Sequence, residues 1–466
     1  MPTDVSNVLL ILSDEHRPDT LGASDHPHVS TPHLDSLAAD GTHFANAYCS
    51  SPLCTPSRAS FVTGRYVHEI GAWDNAAQYD GDPPTWGAQF ANEGVKTTTV
   101  GKLDFQPGVQ GFPEQLLPSN FDAPDINGLY RDPPQTRDGA RDRITRAGPT
   151  DTPGDHETAD RRRTERAVEW LESKAANDED GWVLSLNYIL PHFPLTAERS
   201  YYERYADVED QPHDYPAGDD HPILEELRDH FDGRDVDEAT LHRTRRAYYA
   251  LCEELDDNVG TVLDALERLG LSDDTLVVYT SDHGEPLGDH ETWWKCNMYE
   301  QSVGIPLLVN GPGVENATVE APVSLLDVVP TMADALDIES DEQWRGLSQW
   351  PVLTGERPPD RTRAVFSEYH AHGTSHGIFM LRQGPYKYVY YPENPDQLFD
   401  LIADPQEVTN LADDPAYSGV RSRLEARLRE RVDPDPETVD RLAHEDQRRR
   451  RERPVDEWWG VEREQA

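Results

Sequence analysis

The sequence is poor in lysine and cysteine, and it contains no long apolar run. Only five of its 42 basic residues are lysine, and 88 acidic residues leave a formal net charge of −46 over 466 residues. A charge of this sign argues against nucleic-acid binding, because the phosphates would be repelled. No apolar run approaches the ~20 residues of a membrane-spanning helix, and no signal-peptide pattern opens the chain. We therefore expect a cytoplasmic protein that binds neither nucleic acid nor membranes.

The acidic excess together with scarce lysine indicates a protein adapted to concentrated salt, where a densely charged, hydrated surface stays soluble. A disordered acidic protein and a calcium buffer are the alternatives. The 10 tryptophans and 19 tyrosines supply material for a core, which argues against disorder. No EF-hand loop spacing occurs. The composition therefore favours a folded protein of a high-salt cytosol.

The cysteines form no C-x-x-C pair and no evenly spaced framework, so their spacing indicates neither a zinc site nor disulfide bonds. The four are Cys49, Cys54, Cys252 and Cys296. An isolated cysteine usually behaves as a small buried apolar side chain. Cys54 differs because it opens the string C-T-P-S-R, which is followed five residues later by T-G-R. This string is a candidate for chemistry.

Four apolar runs predict strands that are buried on both faces of a parallel sheet. They cover residues 7–12, 97–101, 183–188 and 275–280. Each run ends at polar residues, and open α/β sheets place their sites beyond the carboxyl ends of their strands. Apolar residues at helical spacing from Tyr248 to Leu269 predict a long helix. The pattern predicts an α/β fold with a large, mixed, mostly parallel sheet sandwiched by helices.

A second unit is predicted from about Arg363, where three short strand patterns follow one another between turns. We predict a catalytic α/β domain at 1–362, a C-terminal subdomain of antiparallel sheet and helix at 363–430, and a charged tail at 431–466. Residues 119–165 are poor in large apolar side chains. They are predicted to be a long surface excursion or partly disordered.

The string at Cys54 resembles the signature of the type I sulfatases, C-x-P-S-R-x-x-x-x-T-G-R, whose cysteine is oxidised to formylglycine after translation. Residues 398–411 resemble the C-terminal motif of the same family, L-[YF]-D-L-x-x-D-P-x-E-x-x-N-L. The resemblance implies an alkaline-phosphatase-like fold, a sulfate monoester as substrate, and a formylglycine-generating enzyme as maturation partner. The hydrated aldehyde has two hydroxyls, one to attack sulfur and one whose deprotonation then expels sulfate, so a difficult step is split in two.

The resemblance also implies a metal site made by Asp14, Asp282 and His283 with the oxygen of oxidised Cys54. Carboxylates suit Ca²⁺, the family's metal, or Mg²⁺, whereas the histidine nitrogen admits Mn²⁺. Many sulfatases have a second aspartate after the first. Glu15 stands there in this chain, and because it is one methylene longer we assign it no ligand role. Asp14 alone could instead cap a helix.

The cations of the predicted site match family positions that bind the sulfate. Lys102, His192 and Lys295 are implied to be catalytic and substrate-binding, His192 as the group that protonates the leaving oxygen, although a lone histidine is often structural. An exposed lysine is replaceable, whereas one that binds sulfate as a point charge is not. Arg58 is implied to hold the formylglycine hydroxyl by hydrogen bonds. His221 matches a substrate-side histidine of part of the family.

One position departs from the family pattern. Most sulfatases have a histidine two residues after the first of these lysines, where it removes the proton of the second hydroxyl, but this chain has Asp104. A carboxylate can act as the base if burial raises its pKa. The strings G-K-L-D, S-P-L-C and Y-Y-A-L-C resemble the arylsulfatase K branch, which acts on 2-sulfated uronic acids.

The expected function is therefore hydrolysis of a small-molecule or glycan sulfate ester. A phosphonate or phosphate ester hydrolase on the same scaffold is the first alternative, because Asp282 and His283 fit that branch as well. The second alternative is a catalytically silent anion- or glycan-binding protein, which would result if Cys54 remained a thiol.

Overall fold

The computed structural model describes residues 5–119, 130–131, 136–177, 179–209 and 221–452. Its strands are β1 (Asn7–Asp14), β2 (Thr42–Phe44), β3 (Ala47–Tyr48), β4 (Lys96–Lys102), β5 (Glu114–Ser119), β6 (Gly148–Thr150), β7 (Trp182–Pro191), β8 (Thr196–Glu198), β9 (Thr275–Ser281), β10 (Gly304–Ile305), β11 (Leu307–Asn310), β12 (Ala317–Val319), β13 (Val323–Ser324), β14 (Ala364–Tyr369), β15 (Ile378–Gln383), β16 (Tyr386–Tyr390) and β17 (Gln397–Asp400). Its α-helices are α1 (Pro32–Asp40), α2 (Cys54–Thr63), α3 (Val67–Ile70), α4 (Trp86–Asn92), α5 (Ala140–Thr145), α6 (Asp155–Asn177), α7 (Arg199–Tyr202), α8 (Pro222–Phe231), α9 (Glu238–Arg268), α10 (Glu300–Val303), α11 (Val328–Ala335), α12 (Trp350–Leu353), α13 (Ser418–Arg429) and α14 (Pro436–Arg451).

The main sheet has eight strands in the order β12-β2-β11-β9-β1-β7-β4-β5. From β9 to β5 all neighbouring strands are parallel, whereas β11 is antiparallel to both of its neighbours. The four predicted apolar strands are therefore confirmed, and they lie side by side as β9, β1, β7 and β4. The fold class, a large and mostly parallel sheet with helices, is confirmed.

Strand β1 shows why a continuous apolar run marks the centre of such a sheet. None of its residues is more than 2% exposed, so successive side chains that point to opposite faces are all buried. Helices α6 and α9 pack against each other and against β7, and α4 packs against β4. The predicted long helix is α9. It begins at Glu238, ten residues before the first residue of the apolar pattern, Tyr248. Asp237 caps its start by accepting a hydrogen bond from the Thr240 N–H.

A separate antiparallel sheet, β14-β15-β16-β17, follows the main sheet in the sequence. Its apolar cluster includes Phe366, Phe379 and Leu398, and helices α13 and α14 add Leu424 and Val439. The predicted small antiparallel sheet is confirmed, with a fourth strand at the family-like motif. The charged stretch after 430 contains α14, which packs on this sheet, while the domain boundaries at 362 and 430 remain predictions.

Residues 119–165 lie partly outside the described residues. Their described part contains α5, β6 and the start of α6, so the sequence from Asp155 onwards is helical and not an irregular excursion. Among the residues that the structure describes, no helix is both long and apolar enough to cross a membrane.

Helix α2 ends at Gly64, whose backbone has φ +69°. A residue other than glycine is strained in this left-handed conformation. A Cβ atom built on Gly64 would lie 2.4 Å from Trp344 Cδ1. The glycine of the T-G-R string is thus required both by the helix terminus and by the close approach of Trp344.

We expect Gly64→Ala to lower the midpoint of thermal unfolding more than Gly270→Ala. Gly270 has a similar φ of +71°, but a Cβ atom at that position would meet nothing within 4 Å beyond its chain neighbours. The backbone strain should cost about 1 kcal/mol at either site, and overpacking against Trp344 should add about 1–3 kcal/mol at Gly64. Equal midpoints in the two variants would contradict the packing role of Gly64.

Candidate active site

The carboxyl ends of four adjacent strands converge at one edge of the main sheet. Asp14 ends β1, Lys102 ends β4, Asp282 follows β9 and His192 follows β7. Because these strands are parallel neighbours, their carboxyl ends share one edge, where open α/β sheets hold their sites. Cys54 is the first residue of α2, and all ten residues of this helix are buried.

Four of the predicted ligand residues are brought together at this edge. Asp14, Cys54, Asp282 and His283 each offer one ligand atom, and the four atoms all lie within 4.8 Å of one another. None of these side chains is more than 2% exposed. Two carboxylates that are excluded from water are stable only if positive charge lies beside them.

The orientation of His283 fits a metal-binding role. Its Nδ1 lies 2.9 Å from the Gly284 carbonyl oxygen, so Nδ1 carries the proton and Nε2 carries the lone pair. That Nε2 lies 3.2 Å from Cys54 Sγ and 3.6 Å from Asp14 Oδ1. Burial lowers the pKa of His283, which keeps the imidazole neutral. Two carboxylates and an aimed imidazole nitrogen suit one divalent cation.

Arg58 joins the two carboxylates from α2. Its Nε donates to Asp282 Oδ2 at 2.8 Å, and its Nη2 lies 3.5 Å from Asp14 Oδ2. The guanidinium also donates to the carbonyl oxygens of Lys102 at 3.0 Å and Ser13 at 3.3 Å. Arg58 therefore positions the carboxylates of Asp14 and Asp282. Its hydrogen bond to the hydroxyl of an oxidised Cys54 remains a prediction.

The thiol of Cys54 faces polar groups although it is buried. Besides His283, Lys295 Nζ lies 3.2 Å from Sγ, and Asp14 Oδ1 lies 3.6 Å away. Burial, together with the charge of Asp14, raises the pKa of the Cys54 thiol far above its ordinary value. A protonated thiol is a poor nucleophile. The residue is thus located where a reacting group is expected, but its unmodified side chain does not suit that task.

Lys102 bridges two acidic groups. Its Nζ donates to Asp14 Oδ2, and it lies 3.5 Å from Asp104 Oδ2. Asp104 has φ +58° and is 1% exposed, and neither of its carboxylate oxygens accepts a hydrogen bond from the described residues. Burial raises the pKa of Asp104. The side chain that replaces the usual histidine therefore has the property that a carboxylate base requires.

Lys295 lies at the centre of a second polar group, on the loop after β9. Besides Cys54, its Nζ contacts Glu15 Oε2 at 3.0 Å and His192 Nε2 at 3.0 Å. Since the ammonium donates, His192 Nε2 accepts, and Nδ1 donates its proton to the Phe193 carbonyl oxygen at 2.6 Å. Burial and Lys295 hold the pKa of His192 well below its usual range. In this arrangement His192 carries no proton on Nε2, and it orients Lys295.

His221 makes contacts with the C-terminal part of the chain. Its Nε2 lies 2.7 Å from the Pro395 carbonyl oxygen, and its ring centre is 4.1 Å from that of Tyr391. Both partners belong to the segment that carries the antiparallel sheet, between β16 and β17. The substrate-side role of His221 remains a prediction.

Two acidic residues near the site were not assigned from the sequence. Glu15 contacts Lys295 and also lies 3.2 Å from His192 Nε2. Glu285 accepts hydrogen bonds from the backbone N–H groups of Leu287 and Trp294, each at 2.8 Å, which fixes the loop that carries Lys295. For Glu15, its position directly after Asp14 could have indicated a place in the site. For Glu285, the only indication in the sequence was its place in the string S-D-H-G-E.

The fold and this site define a class of hydrolase. The phosphonate monoester hydrolases of Agrobacterium radiobacter and Silicibacter pomeroyi superpose with TM-scores of 0.76 and 0.75 at 26% identity. The superpositions cover 91% and 92% of this chain and 94% and 96% of theirs. The chain is a hydrolase of the alkaline-phosphatase-like superfamily.

Sequence comparison defines the family within that class. The sulfatase family model matches residues 6–338, and the model for the N-sulphoglucosamine sulphohydrolase C-terminal region matches 288–433. Choline-sulfatase of Rhizobium meliloti is 34% identical over 97% of this chain and 91% of its own. Arylsulfatase K of Bos taurus is 31% identical over 91% of this chain and 81% of its own. The chain belongs to the sulfatase family, a family of sulfuric ester hydrolases, and the predicted similarity to arylsulfatase K is confirmed.

We expect Lys102→Ala and Lys295→Ala each to lower kcat/KM for 4-nitrophenyl sulfate by about 100-fold or more, because each removes a charge beside Cys54 or its ligand cluster. Lys174→Ala is the matched control, since its Nζ pairs with Glu179 at 3.0 Å, away from this edge. Its kcat/KM should stay within about threefold of the wild type. Equal losses in all three variants would contradict the assignment.

Proposed function

We propose that this protein hydrolyses a sulfate monoester with formylglycine, formed from Cys54, as the nucleophile and one divalent cation as cofactor. The observation that carries the proposal is the juxtaposition of Cys54 Sγ with Lys295 Nζ and with the ligand atoms of Asp14 and His283. The hydrated aldehyde would supply a hydroxyl for attack on sulfur. A cation held by Asp14, Asp282 and His283 would stabilise negative charge at that oxygen.

The remaining groups bind the sulfate and move protons. Lys102 and Lys295 neutralise the sulfate oxygens, and the N-terminus of α2 adds its positive dipole end. His192 protonates the leaving oxygen through Nε2, which carries no proton in the structure and must first take one up, such as the proton that the attacking hydroxyl releases. Asp104 accepts the proton of the second hydroxyl when sulfate is released, since its oxygens have no other hydrogen-bond donor among the described residues and burial has raised its pKa.

The substrate is a small-molecule or glycan sulfate ester. The names of the relatives point in different directions, since one is a choline-sulfatase and the others are arylsulfatases K. A sulfated uronic acid or another sulfated sugar is the substrate that the arylsulfatase K likeness favours. Maturation requires a formylglycine-generating enzyme as a partner. A high-salt cytosol, inferred from the charge of −46, is the proposed setting.

The proposal is tested on protein co-expressed with a formylglycine-generating enzyme. We expect the mass of the Cys54 peptide to show the aldehyde, and kcat/KM to be higher for 4-nitrophenyl sulfate than for the matching phenylphosphonate ester. Cys54→Ala should abolish turnover of both esters, because the nucleophile is lost. It should leave the circular dichroism spectrum unchanged.

Active enzyme that contains only unmodified Cys54 would contradict the formylglycine mechanism. A higher kcat/KM for the phosphonate ester would establish the second candidate, a phosphonate monoester hydrolase. That candidate is favoured by the structural similarity at 26% identity and by the nitrogen ligand offered by His283. Sulfate and phosphonate monoesters both present a tetrahedral anionic centre to the same cations.

Removal of divalent cations with a chelator should abolish turnover without unfolding the protein, because the ligands are aligned by Arg58 and by the backbone. Activity measured after adding back single metals should return best with Ca²⁺ if oxygen ligands dominate. Mg²⁺ is the next candidate. Restoration of activity by Mn²⁺ alone would show that the His283 nitrogen determines the metal preference. That result would favour the phosphonate monoester hydrolase. Full activity in excess chelator would contradict the metal site.

A further inference from the structure

Arg143 lies beside the candidate active site, although it belongs to the short helix α5. Its guanidinium carbon is 4.9 Å from the ring centre of Phe193, the residue that follows His192. The ring of Phe193 in turn stacks on that of His192, with centroids 4.1 Å apart. Arg143 is thus connected to the site through two stacked side chains, in an arrangement typical of cation–π contacts.

Within the part of the chain that the structure describes, the guanidinium of Arg143 has no carboxylate partner and donates no hydrogen bond. The two nearest arginines of the same segment differ. Arg146 pairs with Asp142 at 3.0 Å, and Arg141 donates to three backbone carbonyls. The chain has 88 acidic residues, so an arginine without a counter-ion beside the candidate active site is unexpected.

The surroundings of Arg143 disfavour its positive charge when no anion is bound. Partial burial and the like charge of Arg137 lower the pKa of Arg143 to about 10, while the charge of Glu15 acts in the opposite direction. An arriving anion would relieve this repulsion. The cation–π contact holds the guanidinium against the Phe193 ring. The N–H groups of a guanidinium match a carboxylate or sulfate in a two-point contact.

The distance between Arg143 and the groups around Cys54 determines which part of a substrate Arg143 can contact. Lys295 Nζ lies 5.1 Å from the same Phe193 ring centre and 3.2 Å from Cys54 Sγ. The two cations are therefore separated by at most about 10 Å, each within cation–π range of one ring. One sugar or aromatic ring with its substituents spans such a distance. His192 contacts both Lys295 Nζ and the Phe193 ring. A leaving alcohol on the His192 side of a sulfate at Lys295 would therefore lie towards Phe193 and Arg143.

We propose that Arg143, supported by Phe193, binds a second anionic group on the leaving alcohol of the substrate. This inference rests on the proposed sulfatase function and narrows it. The substrates are then sulfate esters of alcohols that carry a carboxylate or a further sulfate, and esters of cationic alcohols are disfavoured. Arg143 is a specificity-determining residue and takes no part in the chemical step.

The test compares 3-carboxyphenyl sulfate with its neutral amide, 3-carbamoylphenyl sulfate. We expect Arg143→Gln to lower kcat/KM for the carboxylate ester by about 10- to 100-fold, the range for a lost hydrogen bond between charged groups. The amide ester should change by less than about threefold. Arg146→Gln removes the same charge from an exposed side chain on the same segment, and it should change neither rate. Because each ester is compared across variants, differences in leaving-group reactivity cancel.

Two further substrates complete the design. Benzene-1,3-disulfate replaces the carboxylate with a second sulfate, and the larger loss with Arg143→Gln identifies which anion the subsite prefers. Choline sulfate has a cationic leaving group, and Arg143→Glu should raise its kcat/KM. An equal loss for the carboxylate and amide esters would overturn the proposal, because Arg143 would then only support Phe193. An equal effect of Arg146→Gln would overturn it as well, because the general charge would be responsible.

Failure of the proposed function is recognised separately. If the matured protein turns over neither phenyl sulfate, the sulfatase proposal fails while the subsite can still be measured. Calorimetric titration of Cys54→Ala with the two esters should then show tighter binding of the carboxylate ester, and Arg143→Gln should remove that preference. Equal affinities for both esters in Cys54→Ala would overturn the subsite by itself.

Discussion

The contact between Arg58 and the carboxylates of Asp14 and Asp282 is the interaction on which the candidate site depends. One guanidinium reaches Asp282, Asp14 and the carbonyls of Ser13 and Lys102, and so ties α2 to the ends of three strands. Each of these charges is withdrawn from water, which costs several kcal/mol per ion unless partners and hydrogen bonds offset it. Removing one partner would leave an uncompensated charge in the interior. The same network therefore holds the helix that carries Cys54 and places positive charge beside the carboxylates of Asp14 and Asp282.

The five lysines illustrate how far composition alone can mark a site. Lys102 and Lys295 are buried among the acidic groups of the site, as their scarcity had indicated. Lys387 is equally buried, but it pairs with Glu300 and Glu407 between the main domain and the C-terminal sheet, so burial of a rare lysine does not by itself mark a catalytic role. The remaining two, Lys96 and Lys174, lie outside the core and share one partner, Glu179. Each of these two lysines is thus paired with a carboxylate.

Electrostatics act at two ranges in this protein. The net charge of −46 repels an anionic substrate at long range, and molar salt reduces the Debye length to ~3 Å and suppresses that repulsion. Close to Cys54, Lys102, Lys295 and the helix terminus bring positive charge to one place, and Arg143 adds a further cation beside Phe193. These contacts are partly or wholly buried and are screened much less than surface charges. A strongly acidic surface and an anion-binding site are therefore compatible.

The sequence by itself determined the elements that depend on neighbouring residues. These are the continuous apolar strands, the string at Cys54 and the polar residues that end each strand, which meet because parallel strands bring their carboxyl ends to one edge. Tertiary structure decided the contacts between residues that are far apart in the sequence. Glu15 meets Lys295 across 280 positions, α14 packs on the C-terminal sheet, and Arg143 reaches Phe193 from a segment without strong local pattern. The tautomer of His192 was likewise decided by its partners, since a ring nitrogen takes its role from the group that faces it, and no local spacing records that group.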